Sequence, residues 1–246
     1  MTKTTIRTAI VTGGSRGIGA AISRRLAADG CAVVINYAGN AKAAGDVVKA
    51  IEQAGGRALA VQGDVSDSAA MRALFDAAEH AFGGVDILVN SAGILPTAPL
   101  GEATDEDFDR VIAVNLKGSF NALREAAKRM RDGGRMISFS TTVVATKLET
   151  FGLYTATKAA VEALTGILAK EMRGRNIAVN AVAPGPVATD MLLAGRTPEM
   201  LDMFAKAAPM ERLGTPDDIA GLVAFLAGPD GGWVNGQTIR ANGGLV

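Results

Sequence analysis

The sequence predicts an α/β fold: a doubly wound parallel sheet of about seven strands with helices on both faces. Three observations predict it. Short runs rich in β-branched residues recur along the chain, stretches with apolar residues at helical spacing separate them, and glycines stand at the ends of those stretches. Parallel neighbours need a crossover between them, and an intervening helix supplies one.

Residues 8–12 and 31–37 are the first two strands, and between them Ile18, Ala21, Ile22 and Leu26 recur on one helix face. A helix over 41–53, a strand over 58–62, a helix over 68–82 and a strand over 87–90 follow. Gly30, the pair Gly55 and Gly56, and the pair Gly83 and Gly84 close the three helices. Past Gly101 one long helical stretch reaches about Arg131. A strand over 136–139, a helix over 153–173, a strand over 177–182 and a last strand over 237–240 complete the order. Residues 184–210 are the irregular part, with four prolines, Gly185, Gly195 and four methionines. They read either as a mobile lid or as a surface excursion with a short helix. No linker or shift in composition divides the 246 residues, so one domain over 1–246 is expected, with 184–210 as its substrate loop.

The 25 basic and 25 acidic residues cancel. No net field then favours nucleic acid, an anionic membrane or a strongly acidic partner, and a small molecule is the expected ligand. No apolar run approaches the roughly 18 residues of a membrane span. The single cysteine, Cys31, lies in an apolar run and reads as a small core residue. The opening residues Met1-Thr2-Lys3-Thr4-Thr5 carry no apolar signal segment, so a cytoplasmic location is expected. No grouping of His, Cys and carboxylates suggests a metal.

Two stretches carry chemistry. Thr12-Gly13-Gly14-Ser15-Arg16-Gly17-Ile18-Gly19 falls where the first strand turns into the first helix, where backbone N–H groups and the helix dipole can hold a pyrophosphate. Its spacing, G-x-x-x-G-x-G, differs from the commoner G-x-G-x-x-G and points to a sister group of dehydrogenases. An NAD site places a carboxylate about 20 positions later to hold the ribose hydroxyls. Here the second strand ends in Asn36 and Tyr37, and no carboxylate follows until Asp46. Arg16 offers a planar fork for a 2′-phosphate and Asn36 a further donor, so NADP(H) is expected over NAD(H).

Tyr154 and Lys158 stand four apart on a predicted helix and share one face. A neighbouring ammonium favours the phenolate and is expected to lower the tyrosine pKa, making Tyr154 a usable proton donor and acceptor. A polar strand end, Ser138-Phe139-Ser140-Thr141-Thr142, precedes them.

With Asp64-Val65 after the third strand, Asn90-Ser91-Ala92-Gly93 after the fourth, Asn115 in the long helix and Pro184-Gly185 later, these motifs make the sequence resemble the short-chain dehydrogenase/reductase family, close to its 3-oxoacyl-[acyl-carrier-protein] reductase branch. The likeness spans nearly the whole chain. It implies a Rossmann-fold, NADPH-dependent ketoreductase acting between carbonyl and alcohol. By the same resemblance Asp64 and Val65 flank the adenine, and Asn90, Ala92 and Gly93 steady the sheet beside the cofactor. Pro184, Gly185, Val187 and Thr189 complete the cofactor set. Asn115 holds a proton-relay water, Tyr154 protonates the nascent alkoxide, and Lys158 binds the nicotinamide ribose. The family's substrate-orienting serine, 13 positions before the tyrosine, is Thr141 here, with Ser140 as the fallback on the opposite face. Ser91 stands where the family commonly has a second asparagine.

Leu95, Val143, Val144, Leu148, Phe151, Met191, Leu192, Met203 and Phe204 flank the expected site and suit an apolar substrate. Lys128, Arg129, Arg131, Arg173 and Arg175 either receive an acidic carrier protein or are solvated helix ends. A carrier-bound oxoacyl chain and a free ketone, aldehyde or quinone therefore both stay open. The resemblance also implies a homotetramer, paired through the helices around Asn115 and Tyr154, with residues 236–246 making a second contact. Two other function classes compete. Gly13-Gly14-Ser15-Arg16-Gly17 satisfies the G-x-S-x-G elbow of hydrolases, but the only histidine, His80, stands 65 residues later on a helix, not last after an acid. A catalytically silent NADP-binding sensor or scaffold is the alternative that the fold alone permits.

Overall fold

Runs of four to seven residues rich in apolar and β-branched side chains become strands because helices cover both faces of the sheet they form. The computed structural model describes residues 6–246; the opening residues, on which the expectation about a signal segment rests, lie outside the described residues. The strands are β1 (Thr8–Thr12), β2 (Ala32–Tyr37), β3 (Arg57–Gln62), β4 (Ile87–Asn90), β5 (Arg135–Phe139), β6 (Ala178–Pro184) and β7 (Thr238–Ala241). They form one sheet in the order β3-β2-β1-β4-β5-β6-β7, and every neighbouring pair is parallel. The expected doubly wound parallel sheet is present.

Alternation along each strand splits the core in two. Val11, Val33, Ile35, Val89, Ile137 and Val182 face one layer with α1 (Gly17–Ala28), α2 (Ala41–Gln53) and α10 (Pro216–Ala227). Ile10, Val34, Leu88, Met136 and Val179 face the other, with α3 (Ser68–Phe82), α5 (Gly118–Arg129) and α7 (Gly152–Glu171). The chain order reverses direction between β1 and β4, so a crevice opens above their carboxyl ends, where open α/β sheets bind ligands.

Two parts differ from the sequence expectation. The stretch expected as one helix to Arg131 is α4 (Asp105–Val111), a π-helical turn (Ile112–Lys117) and α5, preceded by a 3-10 turn at Leu100–Glu102. The π turn widens the helix where Asn115 is buried beneath the loop that follows β4. The segment after β6 is also more regular than expected: besides the short α6 (Val143–Thr146) earlier in the chain, it holds α8 (Asp190–Leu193) and α9 (Pro198–Ala207).

Helix α10 has no counterpart in the sequence reading, although its start is a complete capping box. The Thr215 hydroxyl accepts from the Asp218 N–H at 3.2 Å, and the Asp218 carboxylate accepts from the Thr215 N–H at 2.7 Å, with Pro216 in the first turn. Ile219, Ala220, Val223 and Leu226 bury the inner face of α10. Thr215→Ala is expected to cost about 1 kcal/mol of unfolding free energy, read from the urea midpoint at unchanged slope.

Candidate active site

The glycine turn is clamped by the end of β1. The Thr12 hydroxyl, at the end of β1, donates to Asn90 Oδ1 at 3.3 Å and accepts from the backbone N–H groups of Ser91 and Ala92 at 3.0 and 3.1 Å. The ends of β1 and β4 are thereby tied across the switch point. Gly13 has φ +63°, and a Cβ there would sit 3.0 Å from the Ala92 Cα. A Cβ on Gly19 would fall 2.3 Å from the Gly13 carbonyl oxygen, inside any tolerable contact. These glycines let the turn fold tightly onto the start of α1. Arg16 is the residue capping α1, in extended conformation, and no side chain caps that end, so its free N–H groups remain available to an anion.

The structure gives Asn36 a different task from the one expected. Asn36 is 1% exposed, and its amide donates to the Gly63 carbonyl at 2.9 Å and the Val61 carbonyl at 3.4 Å, holding the end of β2 to β3. Its two hydrogens are used and do not reach for a phosphate. Arg16 is exposed beside the same cleft, and its guanidinium has no hydrogen-bond partner among the described residues. Asp64 Oδ1 accepts from the N–H and hydroxyl of Ser66, both at 2.8 Å, while Asp67 caps α3.

Tyr154 and Lys158 project from α7 toward the end of β5. Lys158 is buried, its Nζ donates to the Phe139 carbonyl at 2.8 Å, and it lies 5.7 Å from the centre of the Tyr154 ring. Burial pulls the Lys158 pKa down to about 8. Burial also pushes Tyr154 up to about 12, with the neighbouring Thr141 hydroxyl acting in the opposite direction. The expected depression of the phenol pKa by the ammonium is therefore not what the structure shows. Desolvation is the larger effect and keeps the phenol neutral near pH 7. Thr141 is 8% exposed on the cleft side. Ser140 also borders the cleft, but its hydroxyl is taken up in donating to Glu162 Oε1 at 2.5 Å, so it does not replace Thr141.

Asn115 anchors the floor of this region. Its Oδ1 accepts from the Ile94 N–H at 2.8 Å and its Nδ2 donates to the Ile94 carbonyl at 2.9 Å, while its own carbonyl accepts from the Ser119 hydroxyl at 2.6 Å. A Cβ added at Gly93 would meet Asn115 Oδ1 at 3.3 Å and Lys158 Nζ at 3.6 Å, so this glycine is packed against both.

One cleft of about 870 Å3 joins these parts. Gly13, Ser15, Arg16, Gly17, Ile18, Gly19, Asn36, Tyr37, Asp64, Val65, Ala92 and Gly93 line its glycine-turn arm, and Tyr154, Lys158, Pro184, Gly185, Val187 and Thr189 continue it. Thr141, Val143, Phe151 and Met191 line it too, with Leu95, Leu148, Leu192, Met203 and Phe204. Asn90, Asn115 and Val144 are not on its wall. The sequence reading missed Gly63, Arg110, Val114 and Leu245, all of which line it. Leu245 is brought there by the turn after β7, a placement no local pattern reveals.

The basic residues considered for an acidic carrier are largely engaged. Arg129 pairs with Asp76 and Glu79, both at 2.6 Å, Arg131 with Asp86 at 3.1 Å, and Arg175 with Asp132 at 2.8 Å. Among the described residues, no helix is long and apolar enough to cross a membrane, and no group of His, Cys and carboxylates could hold a metal ion.

Comparison with known proteins agrees with this geometry. A family model described as enoyl-(acyl carrier protein) reductase matches residues 13–246. A short-chain type dehydrogenase/reductase of Picea abies is 48% identical over 250 residues, covering 98% of this chain and 92% of that protein. A chloroplastic NADPH-dependent aldehyde reductase-like protein of Arabidopsis thaliana is 46% identical, covering 98% and 94%. Among solved structures, a short chain dehydrogenase from Burkholderia cenocepacia J2315 in complex with NADP superimposes with a TM-score of 0.92 at 41% identity, over 97% of each chain. Clamped glycine turn, switch-point cleft and the Tyr154–Lys158 face thus occur together in a chain that belongs to the short-chain dehydrogenase/reductase family of oxidoreductases.

Proposed function

We propose that this protein is an NADPH-dependent carbonyl reductase that converts a free ketone or aldehyde with apolar substituents to the alcohol, reversibly. The observation that carries the reading is that Thr141 and Tyr154 line one largely apolar cleft, with the buried Lys158 Nζ 5.7 Å from the centre of the Tyr154 ring. Two hydroxyl groups in one cleft suit a single carbonyl oxygen, one orienting it and the other giving it a proton.

The residues present fit a nicotinamide dinucleotide. Gly13 and Gly19 leave a cradle that a Cβ would obstruct, and the uncapped start of α1 offers its N–H groups to the pyrophosphate. Arg16 is the cation at hand for a 2′-phosphate, and no carboxylate ends β2 to hold a free ribose. The Burkholderia structure with NADP and the NADPH-dependent Arabidopsis relative support the same choice. When bound, the reduced cofactor supplies hydride to the carbonyl carbon. Tyr154 delivers the proton to the oxygen, Thr141 fixes that oxygen, and the Lys158 ammonium steadies negative charge as it develops. Asn115 holds Ile94 and the loop behind them.

A free substrate is favoured over a carrier-bound one because Arg129, Arg131 and Arg175 already have carboxylate partners. Met191 and Leu192 of α8 and Met203 and Phe204 of α9 line the cleft, which supports the reading of 184–210 as the substrate loop of a single domain. Phe120 on α5 and Ile167 on α7 are about half exposed and Trp233 is 99% exposed, apolar surface that assembly into a homotetramer would cover.

The test follows loss of the reduced nicotinamide absorbance with NADPH and NADH against apolar aldehydes, ketones, a quinone and an oxoacyl thioester. Turnover with NADPH on the free carbonyls is the expected result. Tight NADPH binding without turnover across the panel would favour a sensor instead.

A further inference from the structure

Helix α7 meets the end of β5 at three successive residues. Tyr154, Lys158 and Glu162 follow one another at four-residue spacing and share a helix face. Lys158 Nζ holds the Phe139 carbonyl at 2.8 Å, Glu162 Oε1 holds the Ser140 hydroxyl at 2.5 Å, and the Thr141 hydroxyl acts on Tyr154. Two of these contacts belong to the chemistry already described. The third does not, since Glu162 is absent from the wall of the cleft.

The Ser140–Glu162 contact is short, as a hydroxyl donating to a carboxylate should be, and Ser140 is 3% exposed. The backbone N–H of Ser140 donates to the Val182 carbonyl at 2.8 Å, which ties the strand end to β6. Glu162 supplies the tie in the other direction, toward α7. Without it the Ser140 hydroxyl is left buried and unpaired, and the peptide carrying Thr141 loses its fixed distance from the helix that carries Tyr154.

We propose that Glu162 is a positioning residue which, through Ser140, fixes the Thr141 hydroxyl and the Phe139 carbonyl against Tyr154 and Lys158. The inference rests on the carbonyl-reductase reading of the site. It acts at one remove from the substrate: a displacement of an ångström at a reacting group costs up to about a hundredfold in rate.

The test uses Glu162→Ala, Glu162→Gln and Ser140→Ala. Glu162→Ala and Ser140→Ala are expected to lower kcat by about tenfold or more, with the KM for NADPH and the melting temperature little changed. Glu162→Gln keeps an acceptor oxygen and should restore most of the rate. A second readout needs no turnover. The chain has two tyrosines, so Tyr37→Phe leaves Tyr154 alone, and 3-fluorotyrosine labelling then gives one fluorine resonance whose titration follows this phenol. Removing the tether should move that titration to higher pH, because Thr141 no longer favours the phenolate, and Gln should return it. Loss of the Glu162 negative charge alone would move it to lower pH. A titration that stays put or falls in Glu162→Ala overturns the proposal, as does a rate loss that follows the melting temperature or that Gln fails to rescue. Wild-type protein inactive on every carbonyl would overturn the reductase reading instead, with the titration still deciding the role of Glu162.

Discussion

Tyr154→Phe is expected to lower carbonyl reduction by about 10³-fold while NADPH binding and folding persist. The substitution keeps the ring that packs near Lys158 and removes only the oxygen that carries the proton. Burial holds that phenol at about 12, so it is protonated throughout the neutral range and stands ready as an acid for a developing alkoxide. The reverse reaction needs the phenolate. Alcohol oxidation by the wild type should therefore rise with pH across the assay range, where reduction shows no such rise. Steady-state rates in both directions, with NADPH affinity from fluorescence titration, check the expectation. If Tyr154→Phe reduced carbonyls at the wild-type rate, Thr141 or solvent would have to be the proton source.

The site was more legible in the sequence than its energetics. Strand register follows from which residues are β-branched, and the glycine turn and the Tyr154–Lys158 spacing are local patterns, so the cleft they line could be named beforehand. The hydrogen bonds of the Asn36 amide are not legible in the sequence, because its partners, Val61 and Gly63, come from the neighbouring strand and its loop. Proximity in sequence says nothing of them. The direction of the Tyr154 shift is not legible in the sequence, because adjacency to a charge is visible there whereas desolvation is a property of the folded surroundings. The π turn at Ile112–Lys117 was hidden because its apolar spacing differs little from that of a helix. Helix α10 is a different case: Thr215-Pro216-Asp217-Asp218 is a readable start signal, followed by an apolar run too rich in buried positions to display a polar face.

Lys158 exposes a cost that the site imposes on the fold, and Lys158→Met is the substitution that measures it. Turnover should fall by about 10²-fold or more, because the ammonium that steadies charge beside Tyr154 is gone. Stability should move the other way. The folded pKa of about 8 against an unfolded 10.5 means that near pH 7, below both values, keeping this amine charged in the interior costs about 3 kcal/mol. Methionine removes that penalty and fills a similar volume, but leaves the Phe139 carbonyl without its donor, a loss of about 1–3 kcal/mol. The variant should be at least as stable as the wild type at pH 7. The sign with pH follows from proton counts: between about 8 and 10.5 the unfolded chain binds the extra proton and the folded one does not, so this lysine makes wild-type stability rise with pH through that window. Urea unfolding of both proteins at pH 7 and pH 10 reads the difference. The stability gap in favour of Lys158→Met should shrink or reverse at the higher pH. A variant markedly less stable than the wild type at pH 7 would mean that the hydrogen bond to Phe139 outweighs the buried charge, making Lys158 a structural support as much as a participant in the chemistry.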